Sequence, residues 1–358
     1  MQPTIIRSSS LPRFMQCNGF TDFLGLPETE SDAAKEGTAF HELVEFKFKN
    51  GTEIASMPAA KNGVNFDEDM HFYAHKILPL IPSDAICEQE ISFALTHNYA
   101  VVGHLDYTWE ENGGDTLVIM DIKYGHRIVE VENNYQLLSY AIGEMMKRGR
   151  NYENIKLMII QPRPYHIDGW VRSVTVKPTE LERAYAAMVD KCQQPKQFST
   201  SDKCRYCPGA ASHCPALNIA FYNSVDFTMN DTMGEALTPD QAAQMLKTYE
   251  RVKDIFKIKM DALKDQVKDR IMKGEAIPGF GVQKQYGHRK WRKDVDVEAF
   301  KLMTGVDLKA TYTMSPAEIE KKGIDESIIN AFAEKPFKGI DLVQIDQSKL
   351  ADKIFGNN

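Results

Sequence analysis

Ala100-Val101-Val102-Gly103-His104-Leu105-Asp106-Tyr107-Thr108-Trp109-Glu110, a turn at Asn112-Gly113-Gly114, and then Thr116-Leu117-Val118-Ile119-Met120-Asp121-Ile122-Lys123 form the stretch from which the fold reads outward. The first run is bounded by Asn98 and by the glycine turn, and the second has the apolar character of a central strand. They predict an antiparallel hairpin that puts Asp106 and Asp121 on adjacent strands. Asp121 and Lys123 are two residues apart, so both are expected on one face of the sheet.

Upstream, residues 33–49 predict a helix with Phe40, Leu43 and Val44 on its buried face and His41 beside it. Residues 67–80 predict a second helix, ended by prolines, and 86–95 a partly alternating strand. Downstream, 133–147 reads as a helix and 155–161 as a strand stopped by Pro162-Arg163-Pro164. Residues 170–176 then read as a strand leading into a helix that opens at Pro178, a favoured first-turn proline. The order predicts an α/β fold, a mixed central sheet flanked by helices, over residues 1–220.

The pattern weakens over 221–237, as in a linker. Thr238-Pro239-Asp240-Gln241 is a helix start, with an N-cap threonine, a proline and a glutamine three on. Met245, Tyr249, Val252, Phe256, Leu263, Val267 and Ile271 then predict the stripe of one long helix, closed by Gly274. The remainder of 238–358 reads as a small α+β region with a further capping box at Ser315-Pro316-Ala317-Glu318.

The chain has 358 residues, 43% hydrophobic and 26% charged, the make-up of an ordinary globular protein with one or two domains. No apolar run approaches the roughly 20 residues that span a bilayer. The first residues lack a signal peptide's pattern, so a cytoplasmic protein without a membrane partner is expected. A net charge of −7 argues against indiscriminate coating of nucleic acid and leaves local grip open.

Asp106 and Asp121 converging on one pocket repel unless a cation intervenes, and oxygen donors suit Mg²⁺ or Mn²⁺. Such a cation acidifies bound water and offsets charge on a phosphate, with Lys123 assisting. Taken singly, His41 reads as a core histidine, Asp121-Ile122-Lys123 as a solvated strand end and Gln136/Tyr140 as packing. Together, Gly37-x3-His41, Gly103-x2-Asp106, Asp121-x-Lys123 and Gln136-x3-Tyr140, in that order, resemble the RecB-like branch of the PD-(D/E)xK nuclease superfamily. The resemblance implies a restriction-endonuclease-like fold. It would make His41, Asp106, Asp121 and the Ile122 carbonyl metal ligands, Lys123 a catalytic residue, and Gln136 and Tyr140 contacts to the scissile strand. Glu88 and Glu90 are both candidates for an outer carboxylate, and the spacing does not choose between them.

Cys17, in Ser8-Ser9-Ser10-Leu11-Pro12-Arg13-Phe14-Met15-Gln16-Cys17, and Cys204-x2-Cys207-x6-Cys214 bracket this core. Clustered cysteines in a reducing compartment suggest metal ligation over disulfides. The arrangement resembles the iron–sulfur nucleases of the AddB and CRISPR-adaptation type, which implies that Cys17, Cys204, Cys207 and Cys214 hold a 4Fe–4S cluster. A structural Zn²⁺ on the same cysteines, or with His213 replacing one, is the alternative. Cys87 and Cys192 read as buried thiols.

The resemblance covers residues 8–217. Beyond it, Lys284-Gln285-Tyr286-Gly287-His288-Arg289-Lys290-Trp291-Arg292-Lys293 reads either as a solvated face or as a DNA contact through Arg289, Lys290 and Trp291. Arg163 is a further candidate phosphate contact. The whole chain also looks like phage-encoded proteins with this core and a Pro-Gly-Phe…Arg-Lys-Trp segment. The expectation is a metal-dependent deoxyribonuclease, an exonuclease of viral DNA recombination or replication in the host cytoplasm. DNA is then the substrate, and a recombinase or single-strand-binding protein the candidate partner. The rival expectations are a non-catalytic DNA-binding or assembly module and a redox-sensing iron–sulfur protein.

Overall fold

The computed structural model describes residues 2–26, 31–51, 59–229, 237–286, 290–291, 295–306, 308, 315–320, 323–334 and 337–344. It divides into two compact units, residues 1–263 and 264–358.

In the first unit, β1 (Thr4–Arg7) leads through a 3-10 turn into α1 (Leu11–Gln16), and a second 3-10 segment, Asn18–Phe23, follows. Two helices come next, α2 (Asp32–Asn50) and α3 (Glu68–Ile77), then the strands β2 (Ile86–Thr96), β3 (Tyr99–Glu111) and β4 (Thr116–Ile122). Ser31 caps α2 by accepting from Ala34 N–H, and Asp67 caps α3 in the same way from Met70 N–H. Asn134 opens α4 (Tyr135–Arg148), accepting from the Gln136 and Leu137 N–H groups, and Gly149 closes it in the left-handed region. The strands β5 (Asn154–Ile160) and β6 (Val171–Val176), α5 (Pro178–Gln193), α6 (Pro215–Met229) and α7 (Pro239–Met272) complete the order.

The sheet runs β1-β3-β4-β5-β6, with β2 paired to the other edge of β3. β1–β3 and β4–β5 are parallel, and β2–β3, β3–β4 and β5–β6 are antiparallel. The fold is therefore α/β with a mixed open sheet, as expected. One face buries Leu117, Ile119, Leu157 and Ile159 against Leu137 and Ala141 of α4 and Leu181 of α5. The other buries Val118, Met120 and Ile160 against Phe40, Leu43 and Val44 of α2 and Met70 and Ala74 of α3.

Two irregularities shape the middle of this sheet. β1 pairs with residues 99–102 of β3 and β4 with residues 107–111 of the same strand, so this edge of β3 is unshared from Gly103 to Asp106. The second lies at Asp106 itself. Leu105 belongs to the α4-side core and Tyr107 to the α2-side core, while on β2 Ile91 and Phe93 lie on the first side and Cys87 on the second. Both strands change face at one rung, where Glu88 stands opposite Asp106 between Cys87↔Tyr107 and Gln89↔Leu105. Glu88 supplies the break, with φ +53°, a left-handed conformation that costs a side chain roughly 1–2 kcal/mol.

Residues 221–229, expected as linker, continue α6, and 230–236 lie outside the described residues. The boundary between units falls inside α7, later than the expected break before residue 238. The reason is packing: Ile255 and Ile258 of α7 bury against Cys204, Cys214 and Leu217. The buried face of α7 is thus set by Ile255 and Ile258, and Phe256 and Leu263 of the expected stripe are exposed. The Thr238 capping box forms, with Thr238 N–H donating to Gln241 and Gln241 N–H to the Thr238 hydroxyl.

The second unit pairs β7 (Phe280–Tyr286) with the later β10 (Phe337–Gln344), and β8 (Lys290–Trp291) with β9 (Ala333–Glu334). Between them lie α8 (Val297–Thr304), α9 (Pro316–Glu320) and α10 (Glu326–Phe332), around a core of Phe300, Leu308, Ile319, Ile329 and Ala333. No helix among the described residues is long and apolar enough to cross a membrane.

Candidate active site

The split edge of β3 is where the charged residues meet. Continuing the β3–β4 register past Tyr107↔Met120 would put Asp106 opposite Asp121, but the ladder stops. Instead the Asp106 side chain accepts the Ile122 N–H through Oδ2, at 2.6 Å. Its Oδ1 lies 3.0 Å from His41 Nδ1, which α2 brings in one residue after the buried Phe40. On β4, Asp121 Oδ2 faces Lys123 Nζ at 2.8 Å. Lys123 Nζ also donates to Gln136 Oε1 (3.2 Å), and Gln136 Nε2 donates to Asp121 Oδ1 (3.2 Å) and Tyr140 OH (2.9 Å). All six expected side chains thus sit in one place, and Ile122 contributes its N–H.

Gly103 lets the site close. A Cβ there would meet Ser8 Oγ at 2.3 Å and Tyr140 Cε1 at 2.8 Å, so only glycine allows the first 3-10 turn and α4 to approach β3 so closely.

The electrostatics follow from burying two acids together. Burial alone would raise Asp106, but the charge and hydrogen bond of His41, with Lys123 and the Ile122 N–H, hold its carboxyl below the usual range. Burial lifts Asp121, and Asp106 adds to this while Lys123 only partly opposes it. Burial pulls His41 and Lys123 down, yet the two carboxylates outweigh it and raise both. Tyr140 is raised by burial and by the same two acids.

As they stand, no three His, Cys, Asp or Glu side chains among the described residues are spaced to hold a metal ion. The donor set nevertheless suits a hard cation. Asp121 Oδ2 is fully buried and accepts no well-directed hydrogen bond among the described residues, with the Lys123 ammonium 2.8 Å away.

Of the two outer carboxylates that the sequence left open, Glu88 occupies the rung opposite Asp106, though it is solvent-exposed. Partial burial raises its pKa, and Asp106 and Glu45 raise it further. Glu90 lines a separate groove with Ser92, Gly143, Met146 and Lys147, and its backbone carbonyl accepts from Lys147. Strand alternation alone does not reveal this, because the choice depends on the left-handed backbone of Glu88.

Cys17, Cys204 and Cys214 are buried, Cys207 is partly buried, and all are free thiols. Burial raises Cys204, and the charges of Cys214 and Cys17 add to it. Cys207 is pushed up to about 11 by burial, with Cys204 and Cys214 nearby and Arg13 opposing. Cys204 and Cys214 share one buried cluster, Cys17 belongs to the main core, and Cys207 packs against both. Backbone N–H groups already point at sulfur, from Ser201 to Cys204 (3.2 Å) and from Leu217 to Cys214 (3.5 Å). Asn18 ties the same ends together, donating to the Lys191, Gln194 and Pro195 carbonyls and accepting from Gln197 N–H. His213 lies instead against Phe23 and the Ser212 hydroxyl. Cys87 sits beside Lys49, and Cys192 packs on the main core.

The protein family described as "Protein of unknown function (DUF2800)" matches residues 4–347, nearly the whole length. The chain belongs to DUF2800. No curated protein matches it.

Of the remaining expected contacts of this DUF2800 protein, Arg163 already has partners. The Arg163 guanidinium bonds to Glu36 Oε2 (2.8 Å) and lies 3.7 Å from the Tyr124 ring centre, so it is a tether more than an open cation. Phe40 stacks on Tyr124 at 4.0 Å, and two such short contacts must take opposite faces of one ring. Lys290 and Trp291 have strand backbone in β8, their side chains are outside the described residues, and Arg289 lies outside them entirely.

Proposed function

We propose that this protein is a divalent-metal-dependent deoxyribonuclease of the PD-(D/E)xK kind, with a restriction-endonuclease-like core, acting on DNA ends. The observation that carries the reading is the single network joining His41, Asp106, Asp121, Lys123, Gln136 and Tyr140 at the split edge of β3. Asp106, Asp121, His41 and the Ile122 carbonyl would hold Mg²⁺ or Mn²⁺. When bound, that cation acidifies a water molecule and offsets charge on the phosphate. Lys123, already an ammonium by the influence of both acids, turns from Asp121 to orient the attacking oxygen or neutralise charge building on phosphorus. Gln136 has its amide between Lys123 and Tyr140, and fixes both relative to the strand. Water oxygen bonds to phosphorus as the bond to the leaving oxygen breaks, giving a phosphate and a hydroxyl end.

Cys17, Cys204, Cys207 and Cys214 would hold a 4Fe–4S cluster or a structural Zn²⁺. Either would staple the N-terminal segment to the end of the unit where Asn18 already joins them.

Anaerobically purified protein, incubated with end-labelled linear and circular DNA and Mn²⁺, tests the reading. Cleavage is expected from the parent, and none from Asp121→Ala or Lys123→Ala proteins that keep the parent's circular dichroism. Full activity in either variant removes the assigned roles. DNA binding without cutting under every metal would favour a non-catalytic module.

A further inference from the structure

Two loops leave the sheet at the end that carries Asp121 and Lys123. One joins β4 to α4 and the other joins β5 to β6; their strands are paired through Ile122↔Ile160. Between them they expose Tyr165 (87%), Ile167 (85%) and Ile128 (47%) to solvent. Large apolar groups so open beside a candidate active site call for an occupant.

The loops bearing them are firmly held. Gln161, itself buried, uses its whole amide: Oε1 accepts from Val129 N–H (3.0 Å) and Arg172 Nη2 (2.9 Å), and Nε2 donates to the Gly125 and Arg127 carbonyls. Arg172 also donates to the Val129 carbonyl, and its Nε and Nη1 are buried without a hydrogen bond among the described residues. The register Asp121↔Ile159↔Arg172 puts this buried cation in the same cross-strand row as the catalytic acid. On the far side, Arg163 pins the second loop to Glu36 of α2. A fold that buries an arginine to fix a loop backbone is fixing the tips of that loop.

Charge decides what the tips receive. Over residues 125–130 and 163–168 the formal charges cancel, Arg127 and Arg163 against Glu130 and Asp168; Arg163 is taken by Glu36, and Glu130 and Asp168 flank His166 at 3.6 Å each. The surface is thus poor at gripping phosphates. A duplex shows mainly phosphates and keeps its base faces stacked inside, whereas an unpaired strand offers base faces to aromatic and apolar side chains. We infer that residues 125–130 and 163–168 are a landing surface for the unpaired bases of a single DNA strand entering the site, with Tyr165 as the stacking platform. This rests on the nuclease reading and narrows its substrate to single-stranded or frayed ends.

The test is fluorescence anisotropy with the full chain in buffer lacking divalent cations, so that cleavage plays no part. The probes are a labelled oligothymidylate and a duplex of equal length closed by hairpins at both ends. Tyr165→Ala/Ile167→Ala is expected to weaken single-strand binding about tenfold, the loss of about 1.4 kcal/mol from one stacked base. Duplex binding should change less than about twofold, Tyr165→Phe should bind like the parent, and thermal melting should not move because both side chains are exposed. Equal weakening on both probes, no weakening, or a parent that binds neither probe overturns the inference. A protein that gives the expected pattern yet never cuts loses the nuclease reading and keeps the landing surface. One that cuts, but binds single strands equally well with and without the two side chains, does the reverse.

Discussion

Gly103→Ala is the sharpest probe of how the site is assembled. The new methyl would lie 2.3 Å from Ser8 Oγ, 2.8 Å from Ser8 Cβ and 2.8 Å from Tyr140 Cε1. Neither neighbour has room to swing away, since Ser8 is 1% and Tyr140 4% exposed. Overpacking of this kind costs about 1–3 kcal/mol, and three overlaps on two fixed groups put the expected loss near 2 kcal/mol. Any retreat by Tyr140 also takes its hydroxyl from Gln136, so cleavage should fall with stability. Urea unfolding followed through Trp109 and Trp170 would measure the loss in Gly103→Ala, Ser8→Gly and the double variant. Ser8→Gly removes two of the three overlaps, so the double variant should be about 1 kcal/mol more stable than the sum of the singles. A harmless Gly103→Ala, or strictly additive variants, would refute the close approach on which the site depends.

Three further outcomes are expected. Glu88→Gly should leave stability unchanged or raise it by up to about 1 kcal/mol, because relief of the left-handed strain exceeds the extra chain entropy of glycine; a clear drop in the unfolding midpoint contradicts this. His41 is held above its ordinary pKa because Asp106 and Asp121 outweigh burial, so its contribution is complete below the unfolded value of about 6.5 and fades as pH rises through the folded one. His41→Ala should therefore flatten the fall of stability above about pH 6.5, and an unaltered pH profile would count against the His41–Asp106 pair. Cys17→Ser should lose bound iron or zinc by elemental analysis and melt at lower temperature, and full metal content would remove Cys17 from the ligand set.

Much of this architecture was readable in the chain because its signals are local. The hairpin around Asn112-Gly113-Gly114, the helix carrying Gln136 and Tyr140, and the apolar face next to His41 each depend on residues a few positions apart. What the sequence hid is long-range. β1 has only four residues, and it finds its parallel partner at Tyr99 to Val102, some ninety positions later. Ser8, a wall of the site, gives no signal for the same reason. The choice of Glu88 over Glu90 turns on one backbone angle. The buried face of α7 is set by the cysteine-bearing segment it meets, which overrides the stripe that its own spacing suggests. The Gln161–Arg172 clamp joins two loops through side chains that alone look like ordinary strand-end polar residues.

The change of face at the Glu88–Asp106 rung has a consequence for how the candidate site is assembled. One half of β3 is sewn into the α4-side core and the other into the α2-side core, with Asp106 at the seam. Neither core can form or melt alone without dragging that aspartate out of alignment with Ile122. A half-made molecule therefore lacks the assembled cluster, and the six side chains meet only once both cores are whole.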